Sequence, residues 1–289
     1  MDSQICPIEG MKRLLVATDG SEASRSAVEQ AIQLAKVCSS ELIAMTTVLT
    51  NSEQEDTMPW VVEQAEKEMR EELEAIKQTA ALQGITCETC IYRGEEPYRD
   101  IVNAAAKQHA DLIVMGTHGR TGLKQLIMGS VTRQVIGHTP GKVLVVPPGA
   151  RIDYSTVLLA TDGSKHSAAA AKEATALAKL YGSSLLIVAV AHSPEEVPIA
   201  EENIKPVLEL AEKAGVTKEC LVLEGKPQEA ITATAEQRQV GLIVVGSHGK
   251  TGLTSLFMGS VAEGVIVRAQ SAVLVARGAC PARSRPGMR

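Results

Sequence analysis

The chain is written twice, and that repetition limits what it can fold into more than any other feature. Thr18-Asp19-Gly20-Ser21 returns as Thr161-Asp162-Gly163-Ser164, and Gly116-x2-Gly119-x9-Gly129-Ser130 returns with unchanged intervals as Gly246-x2-Gly249-x9-Gly259-Ser260. From Asp19 to Asp162 the step is 143 residues, whereas from Gly116 to Gly246 it is 130, so the second copy is 13 residues shorter between its motifs. Both motifs survive the shortening.

Each copy alternates aliphatic runs with stretches of helical periodicity. In copy one strands are predicted over residues 13–17, 41–48, 86–92, 111–115 and 142–146, with helices over 24–37 and 60–82, after Pro97 and from Ser130. In copy two strands are predicted over 156–160, 184–190, 218–223, 242–245 and 272–276, and a shortened second helix over 200–214 takes up the deficit. Strands so uniformly aliphatic are buried on both faces, which implies an α/β fold: two repeated open parallel five-stranded sheets with helices on both faces. The expected domains are residues 1–148 and 149–277, with 278–289 as a disordered basic tail.

Composition narrows the ligand. One Trp, four Tyr and one Phe in 289 residues leave an aliphatic core and few rings on which nucleic-acid bases could stack. A net charge of −5 lacks the basic excess that a phosphate backbone demands, so nucleic acid is not expected as a partner. No apolar run reaches membrane-spanning length and residues 1–20 show no signal-peptide zones, so neither a membrane partner nor export is expected and the location should be cytoplasmic. Six scattered cysteines suggest reduced thiols. The single CxxC, Cys87 to Cys90, falls in a strand, where the two side chains point to opposite faces and make a poor metal pair.

Both repeated motifs fall just beyond the carboxyl ends of strands, the edge at which such sheets bind ligands. Glycines there can take positive φ and let the backbone approach an anion, while Ser130 and Ser260 stand at helix starts with free N–H groups and a positive dipole end. This arrangement suits phosphate. Asp19 and Asp162 could receive the exocyclic amine of a base, although a helix N-cap calls for the same residue type. Arg120 and Lys250 are equivalent loop cations, and His118 and His248 equivalent loop histidines. Copy one has Arg133 where copy two has Glu263. Ser260-x-x-Glu263 reads as a capping box, which would make copy one the tighter phosphate site.

With these motifs the chain resembles the universal stress protein family, over residues 11–277 and as a tandem two-domain member. The resemblance implies a Rossmann-like fold of the adenine nucleotide alpha hydrolase kind and ATP as ligand, with Mg²⁺. It further implies that the aspartate and a residue at the end of strand two meet the adenine, while the glycines and serine hold ribose and phosphates. Carried over, these are Asp19, Val48, Gly116, Gly119, Gly129 and Ser130, then Asp162, Val190, Gly246, Gly249, Gly259 and Ser260, with Arg120 and Lys250 beside them. Counting back through the repeat aligns Val190 with Thr47 rather than Val48. The family pattern also implies an intramolecular pseudo-dimer through strands 142–146 and 272–276, and leaves room for a homodimer.

Neither a Gly-x4-Gly-Lys-Ser/Thr loop nor a Gly-x-Gly-x-x-Gly turn is present, and no acid–base pair presents itself near the glycines. A nucleotide-responsive regulator of the stress response therefore fits better than an enzyme. A slow ATPase or phosphotransferase using Arg120 or Lys250, and a flavin- or AMP-binding electron-transfer module, are the alternatives.

Overall fold

Strand β1 (Arg13–Ala17) buries its last four residues in succession, because helices cover both faces of the sheet it enters. The computed structural model describes residues 11–119, 127–250 and 258–277. After β1 come α1 (Glu22–Cys38), β2 (Glu41–Leu49), α2 (Ser52–Thr57), α3 (Pro59–Leu82), β3 (Cys87–Gly94), α4 (Pro97–Lys107), β4 (Leu112–Gly116), α5 (Ser130–His138) and β5 (Lys142–Val146). The second half runs β6 (Thr156–Ala160), α6 (Lys165–Tyr181), β7 (Ser184–Ala191), α7 (Val197–Ala214), β8 (Lys218–Glu224), α8 (Pro227–Gln237), β9 (Leu242–Gly246), α9 (Ser260–Arg268) and β10 (Ala272–Ala276). The expected tail 278–289 and Arg120 lie outside the described residues.

The strands form one ten-stranded sheet in the order β3-β2-β1-β4-β5-β10-β9-β6-β7-β8. Each half contributes five parallel strands, and the halves meet where β10 pairs antiparallel with β5, Val273 opposite Val145 and Val275 opposite Val143. Those aliphatic edges would otherwise be templates for association with other chains. The join reverses strand direction, so the carboxyl edges of the two halves lie at opposite ends of the molecule.

Alternation along the strands divides the core into two layers. Leu14 and Val16 pack in the layer under α1, α3, α6 and α7, while Leu15 and Ala17 pack in the layer with α4, α5, α8 and α9. Cys87 belongs to the first layer and Cys90 packs against the second, as strand alternation requires. The largest fully buried side chains are all Leu, Ile or Met, and the chain's one tryptophan, Trp60, is 64% exposed, so the core is aliphatic as composition implied. Cys87, Cys90 and Cys220 are free thiols. Cys38 departs from the expected reduced state, being disulfide-bonded.

The 13-residue difference lies where the shortened second helix placed it. Half one has the six-residue α2, closed by a capping box between Asn51 and Gln54, and a 24-residue α3; half two has a single 3₁₀ turn before the 18-residue α7. The α2 turn is too short and too polar to carry a periodic signal, which is why sequence reading passes over it. Among the described residues no helix is long and apolar enough to cross a membrane.

Candidate functional site

In each half the chain leaves the first strand toward opposite neighbours, β2 and β4 beside β1, β7 and β9 beside β6. The carboxyl edge at such a switch point is an open crevice. Into it come the Thr-Asp-Gly-Ser turn from one side and the glycine loop from the other.

The turn is built alike in both halves. Ser21 caps α1 by accepting from Ser24 N, and Ser164 caps α6 by accepting from Ser167 N. The aspartates are thus not the N-caps. Asp19 Oδ1 accepts from Ser21 N and Asp162 Oδ1 from Ser164 N, both at 3.0 Å. In half two the other oxygen, Oδ2, accepts from the backbone N–H of Lys250 at 2.9 Å, tethering the glycine loop to the turn. Burial pushes the Asp162 carboxyl up, yet hydrogen bonds from Ser164, Ser167 and the Lys250 N–H outweigh it and hold the group below its ordinary value of 3.8. A tether of this kind is stronger for being ionised.

The glycines serve a purpose other than the one their spacing suggested. None of Gly116, Gly119, Gly129, Gly246, Gly249 and Gly259 has a positive φ; in the turns it is Gly20 (φ 71°) and Gly163 (φ 75°) that do. What the six provide is room. A Cβ on Gly119 would lie 2.3 Å from Asp19 Oδ2 and one on Gly249 2.8 Å from Asp162 Oδ2, while Cβ atoms on Gly129 and Gly259 would each press within 3.2 Å of a histidine Cα, in His118 and His248. The glycine pattern therefore lets loop, turn and helix start converge on one point.

The helices that follow begin bare. The N-cap residues of α5 and α9 are Gly129 and Gly259, with no side-chain cap at either. Gly129 N and Gly259 N bond back to Thr117 O and Ser247 O at 2.9 Å, and the first turns close from Arg133 N to Gly129 O and from Glu263 N to Gly259 O. The N–H groups of residues 130–132 and 260–262 thus precede the helical ladder and point outward, at the positive end of the dipole. Ser260 occupies the first helical position rather than the cap, so the expected capping box with Glu263 does not form. Glu263 instead pairs with Arg133 of the other half, at the fourth residue of each helix. With Glu263 neutralised, the reason for expecting weaker phosphate binding in half two disappears.

In half two the expected residues come together. Asp162, Val190, Gly246, Gly249, Lys250, Gly259 and Ser260 all line one cavity of about 440 Å³, within the range of small-ligand sites. Several of its walls were not legible in the motifs: Val188, Ile199, Ala200 and Ile231 add apolar lining, and Lys250 Nζ donates to Asn203 Oδ1, also in the lining, at 2.9 Å. Among the described residues no Phe, Tyr or Trp lines it. Behind the loop His166 and His248 approach with ring centroids 5.0 Å apart, both Nδ1 atoms on Ser247 Oγ, at 3.2 and 3.0 Å. Burial, then the neighbouring His248, holds His166 below its ordinary value of 6.5.

In half one Asp19, Gly116, Gly119, Gly129 and Ser130 take the matching positions, with Thr117 Oγ1 on His118 Nδ1 at 3.0 Å. Val48 does not match Val190. The pairing of Ala17 with Met45 and of Ala160 with Val188 makes Thr47 the counterpart, and the Val48 side chain turns to the other layer, against Val62 and Met69.

Comparison with known proteins agrees with the repeat. A family model described as "Universal stress protein family" matches residues 10–147 and again 153–277. A universal stress protein of Thermus aquaticus is 40% identical over 139 residues, 43% of this chain and 99% of that one. One of Mycolicibacterium smegmatis is 27% identical over 290 residues, 91% of this chain and 96% of its own length. Among solved structures, a universal stress protein from Archaeoglobus fulgidus superimposes with a TM-score of 0.77 at 23% identity, covering 93% of this chain and 97% of that one, a likeness of fold.

Proposed function

The chain belongs to the universal stress protein family, and from that premise we propose that it is a nucleotide-responsive regulator whose two halves, residues 1–148 and 149–277, each hold ATP at the carboxyl edge of their sheet. The observation that carries this reading is the half-two cavity. Its lining combines apolar side chains, suited to a base, with an uncapped helix start, suited to phosphates. With no Phe, Tyr or Trp among the described residues of its lining, the adenine would be held chiefly by backbone and aliphatic contacts.

The phosphates would sit on the N–H groups of residues 130–132 and 260–262, with Lys250, and Arg120 in half one, as counter-charges. The ribose would lie over Gly116 and Gly119, and over Gly246 and Gly249. No group of three or more His, Cys, Asp or Glu side chains able to hold a metal occurs among the described residues, so Mg²⁺ would arrive on the triphosphate oxygens, as it does where the protein offers no cage of its own.

The experiment is to denature the purified protein, identify any released nucleotide by mass, and titrate the emptied chain with Mg-ATP. Two equivalents are expected, falling to one in Gly129→Val or Gly259→Val and to none in the double variant. An emptied, folded chain that takes up no nucleotide would remove the proposal. Phosphate release measured on the same samples separates holding from hydrolysis.

A further inference from the structure

A second cavity, of about 510 Å³, lies at the seam of the two halves, and none of its described lining residues belongs to either glycine motif. Helix α1 lines it with Glu29, Gln30 and Gln33, the linker between β5 and β6 with Arg151, Ile152 and Tyr154, and α6 with its last residue, Tyr181. The linker is fastened on both sides. Gly149 N donates to Ser26 Oγ at 2.8 Å and Ile152 N to Gln30 Oε1 at 3.1 Å, while the Tyr154 carbonyl accepts from Ser183 Oγ. The cavity therefore needs both halves in one chain, and seams between domains are favoured places for small-molecule sites.

The whole chain has four tyrosines, and two of them are here, stacked with ring centroids 4.1 Å apart and planes 2° apart. The repeat shows that the fold does not call for them. Tyr181 ends α6 as Cys38 ends α1, and the Tyr154 carbonyl accepts from Ser183 as that of Met11 accepts from Ser40, so half one builds the same corner without rings. Neither tyrosine hydroxyl has a hydrogen-bond partner among the described residues. Burial pushes both hydroxyls up, so each stays a protonated donor at neutral pH. Beside them a cation and an anion stand unpaired. The bond between Gln30 and Ile152 brings their chain neighbours Glu29 and Arg151 to one part of the cavity, yet neither forms an ion pair among the described residues. Open charges of both signs next to ring surface match a ligand that carries both, since guanidinium grips a carboxylate and carboxylate an ammonium group.

We propose that this cavity binds a small aromatic zwitterion, the class to which the free aromatic amino acids belong. Arg151 takes the carboxylate and Glu29 the ammonium group. The ring lies against Tyr154 and Tyr181, whose hydroxyls serve a polar atom on it. The site is separate from the two crevices at the glycine loops and stands whether or not those hold nucleotide.

The test is calorimetric titration of the full chain with L-tryptophan and with L-phenylalanine, beside tryptamine, which lacks the carboxylate, and indole-3-propionate, which lacks the ammonium group. A single equivalent of L-tryptophan is expected, with each truncated analogue weaker by roughly tenfold or more, the worth of a hydrogen bond between charged groups. Arg151→Gln should weaken L-tryptophan by about tenfold and leave tryptamine unchanged, and Glu29→Gln should weaken it similarly and leave indole-3-propionate unchanged. Tyr154→Met, which installs the half-one residue and so should fold, should weaken all three through lost ring surface. Absence of uptake of both amino acids by the folded chain would overturn the inference. So would analogues that bind as well as L-tryptophan, or uptake that is unchanged in both Arg151→Gln and Glu29→Gln.

Discussion

The two glycine loops share every interval, yet they press on different neighbours. In half one a Cβ on Gly116 would come no closer than 3.1 Å to the Ala23 carbonyl oxygen; in half two a Cβ on Gly246 would lie 2.6 to 2.9 Å from the backbone of His166 and Ser167. His166 takes the place of Ala23, and its ring joins Ser247 and His248 behind the loop, where half one has only Thr117 with His118. One motif can therefore be held by two different second layers. The interval specifies what approaches the ligand, and residues far along the chain decide how tightly the loop is backed.

The largest effect that would break this comparison comes from filling the glycines. Backbone cannot give way as a flexible side chain can, so Gly246→Ala should cost about 1–3 kcal/mol of stability, and Gly116→Ala distinctly less. Urea unfolding of the two full-length variants decides it; equal losses would mean that the loops are backed alike.

Next in size is the ion pair between the helix starts of the two halves. Arg133→Glu would set two carboxylates against each other at equivalent positions, costing roughly 0.5–1 kcal/mol, since the pair is partly exposed. Adding Glu263→Arg should restore most of the loss. A thermodynamic cycle without coupling would show that this pair does not help to hold the halves, which β5 with β10, Lys142 with Glu173 and Arg277 with the Gly137 and Thr139 carbonyls also join.

The smallest effect is in pH dependence, and its sign differs between two carboxyls. Asp162 is held below 3.8, so its contribution is present above that pH and disappears as pH falls through the folded value; Asp162→Asn should flatten the acid limb below about pH 4. Asp100 is pushed above 3.8, so its contribution is present below that pH and is lost as pH rises through the folded value. Asp100→Asn should then raise stability at neutral pH, modestly. Acid denaturation curves that leave the Asp162 variant parallel to the parent would deny the tether its ionic character.

Local pattern carried the architecture well, for a physical reason. Runs such as RLLVA and KVLVV are aliphatic on both faces because both faces are covered, and that condition is visible residue by residue. The half-two site was legible to the same degree, since Asp162, Gly246, Gly249 and Gly259 follow directly on strand ends. What escaped depends on the third dimension. Lys250 meets Asn203 from 47 residues away, and Ser247 meets His166 from 81. Glu263 offered a local partner in Ser260 and a distant one in Arg133, and the distant one prevails because the helix starts at Ser260 rather than before it. Val48 was displaced by a single residue, enough in a strand to turn its side chain into the other layer.

The antiparallel junction of β5 with β10 has a consequence for partner choice. It brings the first turns of α5 and α9 within reach of each other at equivalent positions, where Arg133 meets Glu263. The same pairing between two copies of one half would set Arg133 against Arg133 or Glu263 against Glu263, so the ion pair favours the two different halves over two identical ones.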